Sequence, residues 1–523
     1  MKFAGWKWGI AVALFILVAG AIIHTAWGAS GFVCGHTWGN DDAFISYQYA
    51  RNLVKGRGLV FNPGERVEGY SNFLYVLLVA PAFFVTTDDG VYFYSVFFNL
   101  VFTVGAFLIF ISHLRHELGN WNAAAGGLLF ALCLPIWIAV ASGLETCLVL
   151  LLYLAIWVTV ERVARDPDAR HVNLLWVLLV LSVLTRADGF VVPGMVIFYL
   201  VIKRRFREAV TCALAAFATF GAYEAWRYHY YGHFLPNTYY VKVAGPLPER
   251  LSNALSQLSK IVFVTGLLGY LLAFLFVIVE AGRRIAGGSS RIFNELRFDI
   301  LFAVGWTAYW FYIGGDHFLE RFLLPLFPLG IFALLKYLQG NATASAVAYL
   351  LVLFGALEVG PNLAVDSRFN YAFSKHDCWI TLGKFLGAKY AGRTLATSAI
   401  GKMPFFSGLY TIDMLGLIDP VIAHGPIAAK GYDPGHVKFD PDYILSRRPD
   451  LIADWIVPSL DMSYGLARAK YERAGYRVAY LVGAEGACPL GEVVEVSGLD
   501  RNALGELIKE GYKYGVLVRS NQP

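Results

Sequence analysis

Two adjacent carboxylates, Asp41 and Asp42, follow the first long apolar stretch of this 523-residue sequence. A carboxylate within hydrogen-bond reach of a hydroxyl can take its proton while the hydroxyl attacks an electrophile. Carboxylates are also ligands for divalent cations, and acids in the first turn of a helix are favoured by the helix dipole alone. The pair therefore predicts a general base, a metal ligand or a helix start, and its position just outside an apolar stretch favours the chemical roles.

Cationic candidates stand in three later segments, each beside the end of an apolar stretch. They are Arg186 in LTRADG, Lys242 in LPNTYYVK, and His317 and Arg321 in GGDHFLERF. Arginine binds phosphate through two parallel N–H groups, and lysine supplies a compact charge. One such residue near a helix end usually reaches for lipid headgroups. Several on one side predict a site for a lipid phosphate, whose charge grows as it leaves a sugar.

Polar and aromatic residues in the same outer segments are candidates for contacts with a sugar or an acceptor. We expect Glu145 to form a structural ion pair with one of the cations in preference to a catalytic role. Asn237 follows a proline, where asparagine is also ordinary turn chemistry. Aromatic belts at a membrane surface account for most of the tyrosines. The candidates are Glu145, Asp188, Asn237, Tyr239, Tyr240 and Asp316.

Helix signals surround the acidic pair. Residues 40–42 are typical of a helix start, Arg51 and Lys55 fit its last turn, and Gly56 follows. Apolar residues at spacings of three and four predict an amphipathic helix with one face on the bilayer surface. The apolar segment 73–85 is too short to cross a membrane, so we predict a second interfacial helix there.

The composition indicates a membrane protein. Hydrophobic residues make up 57% of the chain, charged residues 15%, and the mean hydropathy is +0.54. Many apolar stretches are long enough to cross a hydrocarbon core of roughly 30 Å. We predict about 11 transmembrane helices, and their expected residues are 9–29, 91–113, 122–140, 144–162, 173–184, 190–202, 208–226, 259–279, 299–313, 321–336 and 342–360.

The basic connections set the orientation of these helices. The loops HLRHELG, ERVARDPDAR, KRRFRE and AGRRIAGGSSRIFNELR carry most of the excess Lys and Arg, which places them in the cytoplasm. The first loop, residues 31–90, and the turns that carry the candidate residues then lie outside. We attribute the net charge of +5 to these basic loops and to the outer cationic candidates, and we do not interpret it as a sign of nucleic-acid binding.

The character of the chain changes after residue 360. Residues 1–360 form the predicted transmembrane domain, and residues 361–523 read as an α/β domain on the outer side, with strands near 393–399, 451–456, 477–482 and 514–518. This part contains no G-x-G-x-x-G or Walker loop. In an oxidising compartment we expect its two cysteines, Cys378 and Cys488, to pair in preference to either pairing with Cys34.

A series of motifs along the chain carries a family resemblance. DDAFISYQYARNL, NPGERVEGYSNFL, SGLET, LTRADG, LPNTYY, GGDHFLERFLLP and SGLYTIDMLGLID occur in that order over most of its length. Together they resemble the GT-C class of membrane glycosyltransferases, and within it the terminal arabinofuranosyltransferases of mycobacterial cell walls and their proteobacterial relatives. Ala187 stands in LTRADG where many relatives have proline, which affects the expected turn geometry and not the reaction class.

The resemblance implies a sugar donor on a polyprenyl phosphate, with arabinofuranose as the leading candidate, and places Asp41 and Asp42 at the acidic motif of the first outer loop. It further implies a multi-pass protein of a bacterial inner membrane with a periplasmic C-terminal domain. The acceptor is a glycan, a lipid or a protein of the cell envelope. No cofactor is implied with certainty, and a divalent cation bound by Asp41 and Asp42 stays open.

Two other classes of function compete with this one. A lipid or glycan transporter would also be polytopic, but ionisable residues inside the spans or paired broken helices would be expected. A membrane-anchored scaffold with an outer binding domain would leave the acidic and cationic candidates without a role. The concentration of charge at one surface, beside an outer domain, favours a transferase over both.

Overall fold

The computed structural model describes residues 5–30, 39–264, 297–316, 318–338, 378–429, 431–484 and 491–520. Helices make up the first part of the chain. They are α1 (Gly5–Ser30), α2 (Asp41–Val54), α3 (Phe73–Val79), α4 (Ala82–Val85), α5 (Val91–Leu118), α6 (Asn120–Ala131), α7 (Leu134–Ser142), α8 (Thr146–Arg165), α9 (Ala169–Thr185), α10 (Val191–Ile202), α11 (Phe206–Tyr231), α12 (Asn237–Lys242), α13 (Leu247–Val264), α14 (Phe298–Ile313), the 3₁₀ helix η1 (Leu319–Leu323) and α15 (Leu326–Leu338).

Three helices in the described residues are long and apolar enough to cross a membrane, at Gly5–Ile23, Val91–Leu118 and Thr146–Arg165. A bent pair, Asn120–Ala131 with Pro135–Ser142, makes a fourth if it counts as one span. Shorter apolar helices occur at Phe73–Val85, Ala169–Thr185, Val191–Ile202, Phe298–Ile313 and Leu326–Lys336. The polytopic helical fold is therefore confirmed, while the predicted spans at 259–279 and 342–360 lie partly or wholly outside the described residues.

The predicted helix at 122–140 is interrupted. The chain bends by 55° between α6 and α7. Cys133 has an extended backbone at this point, and a proline occupies the first turn of α7. Proline has no N–H to donate and clashes with the preceding turn, so the helix stops and restarts. The bend directs the end of α7 toward the acidic loop.

The basic connections lie together at one end of the bundle, as their charge predicts. Arg165, at the end of α8, contacts Glu117, at the end of α5, at 2.6 Å. Arg205, before α11, donates to the carbonyl of Ala164 at 3.0 Å. Glu161 accepts the N–H of Phe298, at the start of α14, at 2.7 Å. The opposite ends of these helices therefore share the other surface.

Residues 378–520 contain a six-stranded mixed sheet with helices around it. Its strands follow the order β2-β1-β3-β6-β4-β5, and β2, β1 and β3 are parallel. The elements are α16 (Cys378–Lys389), β1 (Thr394–Thr397), α17 (Lys402–Ser407), β2 (Tyr410–Asp413), α18 (Pro420–His424), α19 (Pro441–Ser446), β3 (Leu451–Trp455), α20 (Arg468–Arg473), β4 (Tyr476–Val482), β5 (Val493–Glu495), α21 (Arg501–Lys509) and β6 (Tyr514–Arg519).

The α/β class of this domain and its predicted strands are confirmed, and β2 and β5 are additional strands that were not predicted. Its position on the outer side of a membrane stays a prediction, and the names outer domain, outer end and inner end follow that prediction. The predicted boundary between residues 360 and 361 lies outside the described residues. Cys488 and Cys34 lie outside them too, so the pairing of Cys378 with Cys488 stays a prediction.

The helix α2 begins and ends where the sequence predicts, but it does not lie on a bilayer surface. Its residues from Ala43 to Asn52 are all buried. The outer domain covers it: Phe405 of α17 packs edge-to-face on Phe44, with ring centroids 5.3 Å apart. The apolar residues of α2 are spaced for burial between two parts of the protein. The same spacing would suit a helix on a membrane surface, so the sequence alone cannot distinguish the two settings. The segment 73–85 does form short helices, with Phe84 and Val85 exposed.

Candidate functional site

The acidic pair opens α2 at the outer end of the bundle. Asn40 caps the helix, because its side-chain oxygen accepts the N–H of Asp42 at 3.0 Å. The Asn40 N–H in turn donates to the carbonyl of Ser142, at the end of the bent helix pair, at 2.9 Å. The backbone before the cap is left-handed at Gly39, with a φ of +67°, which a glycine adopts without strain. The start of α2 is thus fixed to α7.

Asp41 points into the outer domain. Its carboxylate accepts two backbone N–H groups, from Lys402 at 2.7 Å and from Gly401 at 3.1 Å. Burial raises the pKa of this carboxyl to about 6, although the Lys402 backbone bond and charge oppose the shift. Each carboxylate oxygen thus accepts one backbone N–H of the outer domain, and the side chain forms a contact between the two parts of the chain.

Asp42 points away from that contact and keeps part of its surface open. Its carboxylate oxygen lies 3.6 Å from the Lys242 ammonium, and both side chains are 29% exposed. A distance of 3.6 Å is an ion pair without a short hydrogen bond. Each partner therefore retains capacity for a ligand.

Lys242 is the last residue of α12, and its backbone is held from the outer domain. The hydroxyl of Tyr432 donates to the carbonyl of Lys242 and lies 3.1 Å from that of Ile313. The chain at Gly435 passes close enough that a Cβ there would lie 3.7 Å from the Lys242 side chain. At the other end of α12, the backbone N–H of Asn237 donates to the backbone carbonyl of Glu68 at 3.0 Å. Residues 432–435 and the first loop together position the lysine.

Arg186 forms a second group of charged side chains. It contacts Glu145 at 2.5 Å and Asp188 at 2.8 Å, and its side chain is 11% exposed. The expected structural pairing of Glu145 is confirmed by the first contact. Asn72 donates to the other oxygen of Glu145 at 2.9 Å, and Tyr309 donates to Asp188 at 3.1 Å. Two carboxylates thus compensate the one guanidinium.

Arg321 joins this group through an aromatic ring. Its guanidinium binds Asp316 through two nitrogens, at 2.9 and 3.2 Å. Phe322 lies under both arginines, with its centroid 4.2 Å from the Arg186 guanidinium and 5.4 Å from that of Arg321. His317 lies outside the described residues.

The predicted sugar contacts fall into two settings. Tyr240 is half-buried against His424 of the outer domain, with ring centroids 4.3 Å apart, whereas Tyr239 is exposed. Asn237 is buried, and its side-chain N–H reaches the carbonyl of Gly416 at 3.5 Å. The structure therefore places α12 at the junction of the bundle and the outer domain, with aromatic faces available beside Lys242.

Several contacting residues were not predicted from the sequence. Asn62 pairs with the backbone of Thr411 in both directions, at 2.8 and 3.1 Å, and Tyr410 donates to Glu65. Tyr432 and Gly401 are further examples. Asn62 and Glu65 do lie in the motif NPGERVEGYSN, but nothing in that pattern indicates a partner far along the chain. Among the described residues, no group of three or more His, Cys, Asp or Glu side chains could hold a metal ion.

The amino-acid sequence is similar to one family model and to known transferases. A family model described as a domain of unknown function, DUF8728, matches residues 369–493. A terminal β-(1→2)-arabinofuranosyltransferase of Mycobacterium tuberculosis is 27% identical over 249 residues, which cover 45% of this chain and 39% of the relative. The match thus spans well under half the length of that relative.

Solved structures match over nearly the whole chain. ArnT from Cupriavidus metallidurans, bound to undecaprenyl phosphate, superposes with a TM-score of 0.55 and 12% identity, covering 99% of this chain and 98% of ArnT. The Archaeoglobus fulgidus oligosaccharyltransferase, in complex with Zn and sulfate, gives a TM-score of 0.58 and 11% identity over 94% of this chain and 73% of its own. At such identities the likeness shows the fold alone. The chain has the GT-C fold, and its sequence is similar to that of the terminal arabinofuranosyltransferases.

Proposed function

We propose that this protein is a membrane glycosyltransferase that moves a sugar from a polyprenyl phosphate to an acceptor on the outer side of a bacterial inner membrane. The fold shared with ArnT and the sequence similarity to arabinofuranosyltransferases support the reaction class. The structure of ArnT contains undecaprenyl phosphate, and a donor of that chemical class fits a site at the outer ends of apolar helices. Arabinofuranose is the leading donor sugar, from the sequence similarity alone.

The observation that carries the proposal is the partly exposed pair of Asp42 and Lys242 at the junction of bundle and outer domain. In the proposed reaction, Asp42 takes the proton of an acceptor hydroxyl as its oxygen attacks the anomeric carbon of the sugar. The bond from that carbon to the phosphate oxygen breaks, and the phosphate leaves with the electron pair. Lys242 stabilises the charge that develops on the phosphate.

Arg186 and Arg321 remain candidates for the same phosphate. Each is already paired with carboxylates, so a phosphate would have to share or displace them. Lys242, with one long contact, meets a phosphate at a smaller cost. We therefore propose that Lys242 is the main phosphate contact. The domain of residues 361–523 would complete the acceptor side, with Tyr240 and His424 at its edge.

The test is sugar transfer by the purified protein in lipid nanodiscs, followed by mass spectrometry. The donors are a panel of polyprenyl-phosphate sugars, and the acceptors are glycans, lipids and peptides of the cell envelope. Transfer by the unmodified protein that Asp42→Asn abolishes supports the proposal. The matched control is Asp89→Asn, because Asp89 is an acid of the same loop whose pair with Lys384 is exposed. Failure with every donor and acceptor, or equal loss in the control, would overturn it in favour of a transporter or scaffold.

A further inference from the structure

The junction between the outer domain and the first loop contains an arrangement that the proposed reaction does not by itself require. The Asp41 carboxylate accepts the N–H groups of Gly401, the N-cap of α17, and of Lys402, its first residue. Each of its two oxygens has its own donor. Hydrogen bonds to an ionised acceptor are shorter and stronger than neutral ones. This contact ties the beginning of α2 to the outer domain.

The close approach at this point depends on glycine. A Cβ built on Gly401 would lie 1.9 Å from the backbone oxygen of Asp41 and 2.6 Å from its carboxyl carbon. Contacts under 3.0 Å are not tolerated, so the two segments meet at this distance only because residue 401 has no side chain. The contact between the Asp41 carboxylate and the backbone at residue 401 therefore depends on glycine at that position.

The rest of α17 lies along α2. Phe405 and Phe406 pack on Phe44, with ring centroids 5.3 and 5.5 Å apart. The Arg51 guanidinium lies 4.1 Å above the centroid of the Phe405 ring, and Arg51 is anchored to Asp88 at 2.8 Å. Ile400 and Phe405 belong to the same apolar core as the helices of the bundle. The outer domain is thus packed onto α2 along most of its length.

The outer domain also contacts Lys242, the second member of the ion pair with Asp42. Tyr432 donates to the Lys242 carbonyl, and the chain at Gly435 lies against the Lys242 side chain. Asp42 follows Asp41 directly in the first turn of α2, and consecutive helical residues point in directions about 100° apart. One carboxylate can therefore bind the outer domain while the next is directed at Lys242. Both halves of the pair are positioned from residues 401–435.

We infer that Asp41 is a positioning residue: by binding the Gly401–Lys402 turn it docks the outer domain, and docking brings Asp42 and Lys242 together. This inference rests on the proposed function for its effect on rate, but the docking contact itself does not. The inference gives different roles to two adjacent acids that look equivalent in the sequence. Asp42 acts on the acceptor, and Asp41 acts through the outer domain.

The test compares Asp41→Asn and Asp41→Ala with Asp42→Asn in full-length protein in nanodiscs. Asparagine keeps one oxygen that accepts an N–H, as it does at helix N-caps, whereas alanine keeps none. If Asp41 positions the site, Asp41→Asn should retain activity within roughly tenfold, and Asp41→Ala should lose up to roughly a hundredfold in kcat, the range for losing hydrogen bonds to a charged group. If Asp41 were the base, both variants would be equally inactive.

Hydrogen–deuterium exchange provides the readout that does not depend on turnover. Amide exchange in residues 401–407 should accelerate in Asp41→Ala and, less, in Asp41→Asn, and should stay unchanged in Asp42→Asn. The strand Tyr514–Arg519 in the same domain is the internal control. Unchanged exchange in Asp41→Ala, or equal inactivity of the two Asp41 variants, would overturn the inference. Absence of transfer by the unmodified protein would instead refute the proposed function and leave the exchange result to decide on docking.

Discussion

The two ends of the helical bundle both carry charge, and they use it differently. At the inner end the charged groups bind within the bundle: Glu117 with Arg165, Arg297 with Asp299, and Glu161 with a backbone N–H. At the outer end some charged groups also bind within the bundle, as Arg186 does with Glu145, but other polar contacts reach across to the outer domain, through Asp41 and through Asn62 with Thr411. The inner contacts therefore stabilise the packing of the bundle, whereas the outer contacts also join the bundle to the outer domain.

The largest effect should come from the base. Asp42→Asn keeps the volume and removes the proton acceptor, so transfer should fall by roughly 10²- to 10⁴-fold without loss of folding. The inner-end counterpart is Glu117→Gln, which removes a carboxylate bound to Arg165. Its transfer rate should stay within about twofold, because exposed or partly exposed ion pairs contribute little. Equal losses at the two ends, measured as initial rates, would remove the distinction between them.

The next effect concerns the phosphate contact. Lys242→Gln should lower the rate by roughly 10- to 100-fold, the range for removing one charged stabiliser of a developing negative charge. Lys336→Gln is the matched control at the inner end, since Lys336 is an exposed lysine of α15. Initial rates over a range of donor concentrations separate kcat from KM. A Lys242 variant as active as the Lys336 variant would show that another group meets the phosphate.

A smaller effect should follow from breaking the second docking contact. Asn62→Ala leaves the buried N–H and carbonyl of Thr411 without their side-chain partner, which should cost roughly 1–3 kcal/mol of docking free energy. Amide exchange in Tyr410–Asp413 should rise, with little change in α16 of the same domain. Exchange that rises equally throughout the domain would indicate global unfolding and contradict local undocking.

The smallest effect is a dependence of stability on pH. Burial raises the pKa of Asp454, at the end of β3, from 3.8 to about 7. The folded domain then holds this proton more tightly than the unfolded chain, so the stability that neutral Asp454 contributes is fully present below about pH 4 and is lost as the pH rises through about 7. Pulse proteolysis in urea should show a lower midpoint at about pH 8 than at about pH 5, and Asp454→Asn should flatten this slope. Burial also raises the pKa of Asp413 to about 7, so the part of the pH dependence that Asp413 contributes should remain in the Asp454→Asn variant. An unchanged slope would contradict the assignment.

The local features of the site could be read from the sequence, because they depend on neighbouring residues. Asn40 does cap α2, and the β-rich stretches at 451–456 and 514–518 are strands. The two missed strands, Tyr410–Asp413 and Val493–Glu495, are only 4 and 3 residues long. Their pairing comes from neighbours in the sheet.

The division of labour between Asp41 and Asp42 could not be read in the same way. Both acids occupy the first turn of one helix, and only the distant Gly401 and Lys402 distinguish them. The partner of Asp41 lies 361 residues away in the chain. A contact at that separation leaves no local period or spacing to recognise. The sequence also could not predict that α2 is buried under the outer domain and not on the bilayer surface, since an apolar face does not specify what covers it.

Chemical rescue of Asp42→Asn by azide tests whether Asp42 is the general base. Azide attacks an anomeric carbon without first losing a proton, so it does not need a base. If Asp42 is the base, Asp42→Asn should be inactive with the natural acceptor hydroxyl but should form the glycosyl azide from the polyprenyl-phosphate sugar, at a rate near that of the unmodified protein with azide. Lys242→Gln should not be rescued, because the leaving phosphate still lacks its cation. Failure of Asp42→Asn to form the azide under conditions where the unmodified protein does so would show that Asp42 is not the base.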